Sequence, residues 1–366
     1  MNKGKRGSKL LKGIIILLIG MILFFSNEKN QDKFMGFINS VFTSKQSEVQ
    51  KESSLQVINS ISTDNPIEEI AYHDDNIAVW GSNKLAIYDL QGVKKWEKEF
   101  NLNNPHFYAG NERLYVYDRD IGDIYSFNFH GNTLGRIQMG NKIKSISESK
   151  ERLIVHAVED NNEVLKILNF NGQVIDTRTV EDKILTYCID DANKAYGVCT
   201  LSLADDGIRT EIKLYEIKGD LITVLHLEDQ ISLYIEFIGE NKLLVLTDKG
   251  LYFVEDGVIN WEKELEEVKD AYVDLNNNVN VLAGNTLESI FTDGRVKNRY
   301  SFFQDYNRII PFKNLTVLWG PNHIVGLDEE KEIFKYETED EIYDVVGGNQ
   351  NLIVAYKNRI DWISYK

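Results

Sequence analysis

The chain has 366 residues, 43% of them hydrophobic, 27% charged and 11% aromatic, which supports a sizeable core and excludes a disordered protein. The formal charge is −16, and Lys3, Lys5, Arg6, Lys9 and Lys12 fall in the first twelve residues without an acid, so everything after them is more acidic still. No basic face is left to neutralise phosphates, which excludes nucleic acid as a partner. Only 4 prolines accompany 18 Tyr and 17 Phe, a balance that suits strands.

Residues 1–12 read as a basic tail that stays in the cytoplasm. Residues 13–30 contain the uninterrupted apolar run Gly13 to Phe25 and read as a single transmembrane helix. At about 1.5 Å per residue this run covers roughly 20 Å of a hydrocarbon core of about 30 Å. Leu10 and Leu11 extend it, and Lys12 can snorkel. The alternative is a cleaved signal peptide, but SNEKNQDKF follows, without a small-x-small cleavage pattern. Either way the body is expected outside the cytoplasm, with the helix as its link to the cell membrane. Residues 31–54 come next. Phe34, Phe37, Ile38, Val41 and Phe42 share one helical face, for the membrane surface or for packing, and Ser44 to Ser54 is a polar linker.

Residues 55–366 are organised by repetition. In Leu85 to Trp96, LAIYDLQGVKKW, one strand turns at Gly92 into a second. Glycine turns of this kind recur at Gly131, Gly172, Gly219, Gly257 and Gly294, at spacings of 39, 41, 47, 38 and 37 residues. Glycine suits such turns because they need a positive φ. A polar turn followed by a short β run, as in DDNIAVW (74–80) and NERLYVY (111–117), occurs eight times. Four short antiparallel strands per unit of about 40 residues predict an all-β fold, a β-propeller of eight four-stranded blades. Units start near Ile67, Pro105, Ile143, Ile184, Leu233, Val268, Arg308 and Ile342. The last has three strands, and Leu55 to Ile61 is available to supply the fourth and close the ring. Seven blades with one unit miscounted, or an open array, are the alternatives.

Asp89, Gly92 and Trp96 follow D-x-x-G-x-x-x-W, and Gly257 and Trp261 repeat the second half. This pattern resembles the tryptophan-docking motif of degenerate quinoprotein (PQQ-like) propellers, which implies that Trp96 and Trp261 pack between blades. The layout of anchor, linker and propeller also resembles a clostridial family of membrane-anchored propellers of unknown function. A PQQ site would need, by that resemblance, a vicinal cysteine pair and acidic calcium ligands. Cys188 and Cys199 are not adjacent, so no cofactor is expected. Their positions are symmetric about the turn Ala192 to Ala195, which allows a disulfide or two buried thiols.

The six histidines lack zinc spacing, and no nucleophile elbow, Walker loop or C-x-x-C is present. With 57 acids, a close carboxylate pair carries little information. Asp274 to Asn278 begins like a calcium loop but has Val279 where glycine belongs, so no metal is expected. Turns between second and third strands share a face with the links between blades. On that face the expected binding residues are Trp80, Asp118, Asp120, Asp205, Asp206, Asp248, Trp319 and Tyr356. Aromatics concentrate binding energy, although Trp80 and Trp319 could equally pack under loops. The expected function is a non-catalytic binding or scaffold module of the cell envelope with a protein or envelope ligand. The alternatives are an enzyme acting on envelope glycan or peptide through carboxylates near the channel, and a structural subunit of an envelope complex.

Overall fold

The computed structural model describes residues 55–364, except 191, 193, 205, 206 and 330. The basic tail, the apolar run and the juxtamembrane segment lie outside the described residues. Among the described residues no helix is long and apolar enough to cross a membrane.

The described chain forms 32 strands in eight four-stranded antiparallel sheets, a complete eight-bladed propeller. Seven blades are contiguous in sequence. The eighth joins Asp344–Gly347, Leu352–Ala355 and Arg359–Ser364 to the N-terminal strand Gln56–Ser62. Ile61 stands opposite Ile360 in that pairing, and Ser60 Oγ donates to Asp361 Oδ1 at 2.7 Å. The three-strand last unit is completed as the sequence predicts, and neither end of the ring keeps an open edge.

The burial pattern explains why the units read as they do. Second strands such as Leu153–Glu159 are sandwiched between two blades and run almost entirely apolar. Outer strands such as Lys94–Glu99 alternate, because only one of their faces meets a neighbouring blade. The core is correspondingly divided into eight apolar clusters, one at each junction between adjacent blades.

The motif tryptophans lie at these junctions. The indole of Trp96, on blade one, covers Gly131 of blade two, where an added Cβ would stand 2.5 Å from the ring. Its ring centroid is 5.5 Å from that of Phe127. Trp261 covers Gly294 of blade six in the same way and donates from Nε1 to Thr292 O at 2.8 Å. Elsewhere the role passes to smaller groups: Ile61 on Gly92, Ile137 on Gly172 and Thr223 on Gly257. Asp176, standing in the tryptophan position, instead accepts from the Lys218 amide of the next blade at 3.1 Å.

The cysteines require a correction. Cys188 stands opposite Gly197, and Cys199 opposite Thr186. The turn is centred earlier than the symmetric reading assumes, because Asp190 Oδ1 accepts from the amides of Lys194 and Ala195. The two thiols are therefore diagonal neighbours on one face rather than a directly facing pair, and both are free. Burial pushes Cys188 well up and Cys199 up to about 12.

Candidate functional site

Each inner strand enters from a link between blades, and its first residues line one mouth of the channel. At equivalent positions stand Glu69, His106, Ser145, Thr186, Tyr234, Asp270, Arg308 and Asp344. Two of the acids staple neighbouring inner strands. Asp270 Oδ2 accepts from the Ile309 amide at 3.0 Å, and Asp344 Oδ2 from the Ile70 amide at 3.2 Å. Burial raises the pKa of both despite these donors. Glu69 has neither a hydrogen bond nor an ion pair among the described residues. Burial, and then the charge of Asp344, lift it from 4.5 to about 7. Tyr108 and Tyr117 of blade two lie close enough to feel its charge, and burial raises both. His106 is pushed down by burial and then by Arg119.

A second charged group ties blade three to blade four on the same face. Glu163 is buried and contacts Lys144 at 2.6 Å, Lys183 at 3.0 Å and His156 Nε2. Burial works to raise its pKa, but Lys144, His156 and Lys183 outweigh that and hold it near 2.

The residues predicted for this face fall into two groups. Trp80 is 3% exposed and stacks on Phe107 at 5.8 Å, inside the junction between blades one and two. Tyr356 is equally buried and shares a hydrogen bond with Tyr336 OH at 3.1 Å. Trp319, at the position equivalent to Trp80, is half-buried against the junction of blades seven and eight. None of the three presents an open ring to solvent, because a second strand is covered by blades on both sides. Trp80 belongs to a different cluster from Trp319 and Tyr356, so ring closure does not gather the three.

The acids are mostly occupied. Asp118 is fully buried and accepts from the amides of Asn103, Asp120 and Ile121 at 2.8, 2.9 and 3.3 Å. Burial works to raise its pKa, but these donors hold it low. Asp248 does the same for the Ile231 amide at 2.8 Å. Both fasten a link between blades. Asp120 is exposed, and Asp205 and Asp206 lie outside the described residues.

Sequence reasoning missed the side chains that this face does expose: Ile121 (47%), Leu203 (87%), Leu233 (48%), Phe303 (103%) and Tyr343 (40%). Leu233 and Tyr343 flank the inner-strand positions named above. The apolar-x-polar start of many units, as in Ile67-Glu68-Glu69, Val268-Lys269-Asp270 and Ile342-Tyr343-Asp344, is the signal that could have located both sets.

The fold is shared with solved propellers of very different sequence. Sqt1 of Saccharomyces cerevisiae superimposes with a TM-score of 0.63 at 9% identity, over 87% of this chain and 99% of that one. BamB from Moraxella catarrhalis gives 0.58 at 12%, over 85% and 98%. BBS1N, solved in complex with ARL6DN, gives 0.52 at 11%, over 86% and 98%. At these identities the likeness shows the fold alone. No curated protein sequence matches the chain. The model of one family, described as a family of unknown function (DUF5711), matches residues 43–364.

Proposed function

This chain belongs to the DUF5711 family, and we propose that it is a membrane-anchored, extracytoplasmic propeller that binds a protein partner as a scaffold module of the cell envelope. The carrying observation is the linker face. Phe303, fully exposed, and Leu203, Leu233, Ile121 and Tyr343 stand on the face whose channel mouth carries Glu69, Asp270 and Asp344. Exposed aromatic and aliphatic side chains bordered by charge are what a protein interface uses. Gln56–Ser62, as an outer strand, runs toward the linker face. The solved complex of BBS1N with ARL6DN is consistent with protein binding by such a fold. The apolar run Gly13 to Phe25 supports the anchor.

The test has two arms. Protease added to intact cells should digest the propeller, and protection of the propeller until lysis would place it in the cytoplasm and end this reading. Cross-linking on those cells should trap one partner at fixed stoichiometry. Phe303→Ala with Tyr343→Ala should lose it at an unchanged melting temperature. Retention of the partner by that variant removes the linker face as the interface.

Glu69 favours a second reading. A carboxyl lifted to about 7 by burial and Asp344, without a partner among the described residues and close to two tyrosines, has the properties of a general acid or base. An enzyme acting on envelope glycan or peptide would then lose turnover in Glu69→Gln. Envelope fragments left intact by the wild-type protein would dismiss it.

A further inference from the structure

On the face opposite the linkers, a cleft of about 430 Å³ opens between blades six and seven. Its existence follows from a break in the docking pattern. Asn298 stands where Trp96 and Trp261 stand in their blades, and the seventh blade turns through Asp328 and Glu329, without a glycine to dock on. The contacts across the cleft include Lys297 Nζ to Glu329 Oε1 at 3.5 Å and a hydrogen bond between Tyr272 OH and Thr316 Oγ1 at 2.8 Å.

The wall on blade six is a row of aligned residues across all four strands: Tyr272, Asn280, Ser289 and Asn298. The same row is Ala71, Ala78, Ile87 and Trp96 in blade one. In blade five it is Glu236, Leu244, Phe253 and Trp261. Polar side chains have thus replaced the apolar centre of the row while staying buried: Asn280 is 4% exposed and Ser289 8%. Asn280 lines the cleft, and its buried Nδ2 makes no hydrogen bond among the described residues. A buried amide donor without an acceptor is destabilising, so the fold keeps it against its own stability.

We propose that this cleft is a binding site for a neutral saccharide of one or two rings. The lining combines carboxamides (Asn276, Asn280, Asn298, Asn314) with the rings of Tyr272 and Tyr300. Sugars offer hydroxyls to the former and a C–H face to the latter. The two lysines on the lining are already engaged, Lys297 with Glu329 and Lys313 with the Gln350 carbonyl at 3.3 Å, and the body is strongly acidic. Both features disfavour an anion. The volume lies in the lower part of the roughly 300–1,000 Å³ usual for small-molecule sites. The site is independent of the linker face, so a failed partner assay there does not bear on it.

Saturation-transfer NMR and calorimetry on the full chain in detergent test the proposal, with N,N′-diacetylchitobiose, cellobiose and maltose as probes and inorganic phosphate and triglycine as comparators. At least one disaccharide is expected to bind. Asn280→Asp, which removes the donor without changing its size, should weaken that binding at least tenfold. Asn298→Trp, which fills the cleft as Trp261 fills its own junction, should abolish it and leave the melting temperature equal or higher. Absence of binding by all three disaccharides, binding of phosphate or triglycine in their place, or disaccharide binding untouched by Asn280→Asp overturns the proposal. If Asn298→Trp does not fold, Asn280→Asp alone decides.

Discussion

The docking of Trp96 on Gly131 makes a prediction whose size can be worked from the contact. Gly131 has φ +82°, and a Cβ there would lie 2.5 Å from the indole. Gly131→Ala therefore meets two costs: about 1–2 kcal/mol for a left-handed backbone, and about 1–3 kcal/mol for overpacking against the ring. Trp96→Ala removes a half-buried indole. Full burial would make that about 3–5 kcal/mol, and the exposed part of the ring lowers it to about 2–3 kcal/mol. Once Trp96 is gone, the space above Gly131 is open, and Gly131→Ala retains only its backbone cost. The double variant should then be more stable than the sum of the singles predicts, by about 1–3 kcal/mol. Urea midpoints of the four proteins, followed by circular dichroism, measure this directly. Additivity within about 0.5 kcal/mol would show that the indole does not press on Gly131, and the docking account of the repeat would fail.

Trp80→Ala is expected to destabilise the propeller by about 3–5 kcal/mol in the same assay, as loss of a buried ring should; an unchanged midpoint would return Trp80 to the surface. Glu69, lifted from 4.5 to about 7, keeps its proton more tightly folded than unfolded. Stability should therefore fall as pH rises through that window, by at most about 3 kcal/mol. Glu69→Gln should flatten the fall, and melts at pH 4, 6 and 8 would detect a slope that survives it. Cys199, buried, and Cys188, half-buried, both with raised thiol pKa, should resist an aqueous thiol reagent at pH 8 until urea is added; rapid labelling of native Cys199 would contradict its placement.

What the sequence by itself determined is the repeat. Turn glycines at regular spacing, double-sided apolar second strands and a three-strand last unit with a spare strand upstream together point to a propeller and to eight blades over seven, because each is a local backbone or burial demand. The resemblance to quinoprotein propellers implied that Trp96 packs between blades, but the turn glycine of the next blade as its partner is visible only in the structure. Surface and interior at the linker face were decided only by tertiary structure. Trp80 and Asp118 sit at strand ends that look exposed in a linear reading. The neighbouring blade covers the first, and a link between blades covers the second. Glu69 is one acid among 57 until the ring brings Asp344, at the far end of the chain, to its side. The cleft behind Asn298 likewise depends on what blade seven fails to supply. Periodicity is a property of neighbours in the chain, whereas burial, charge coupling and vacancy are properties of neighbours across a blade junction.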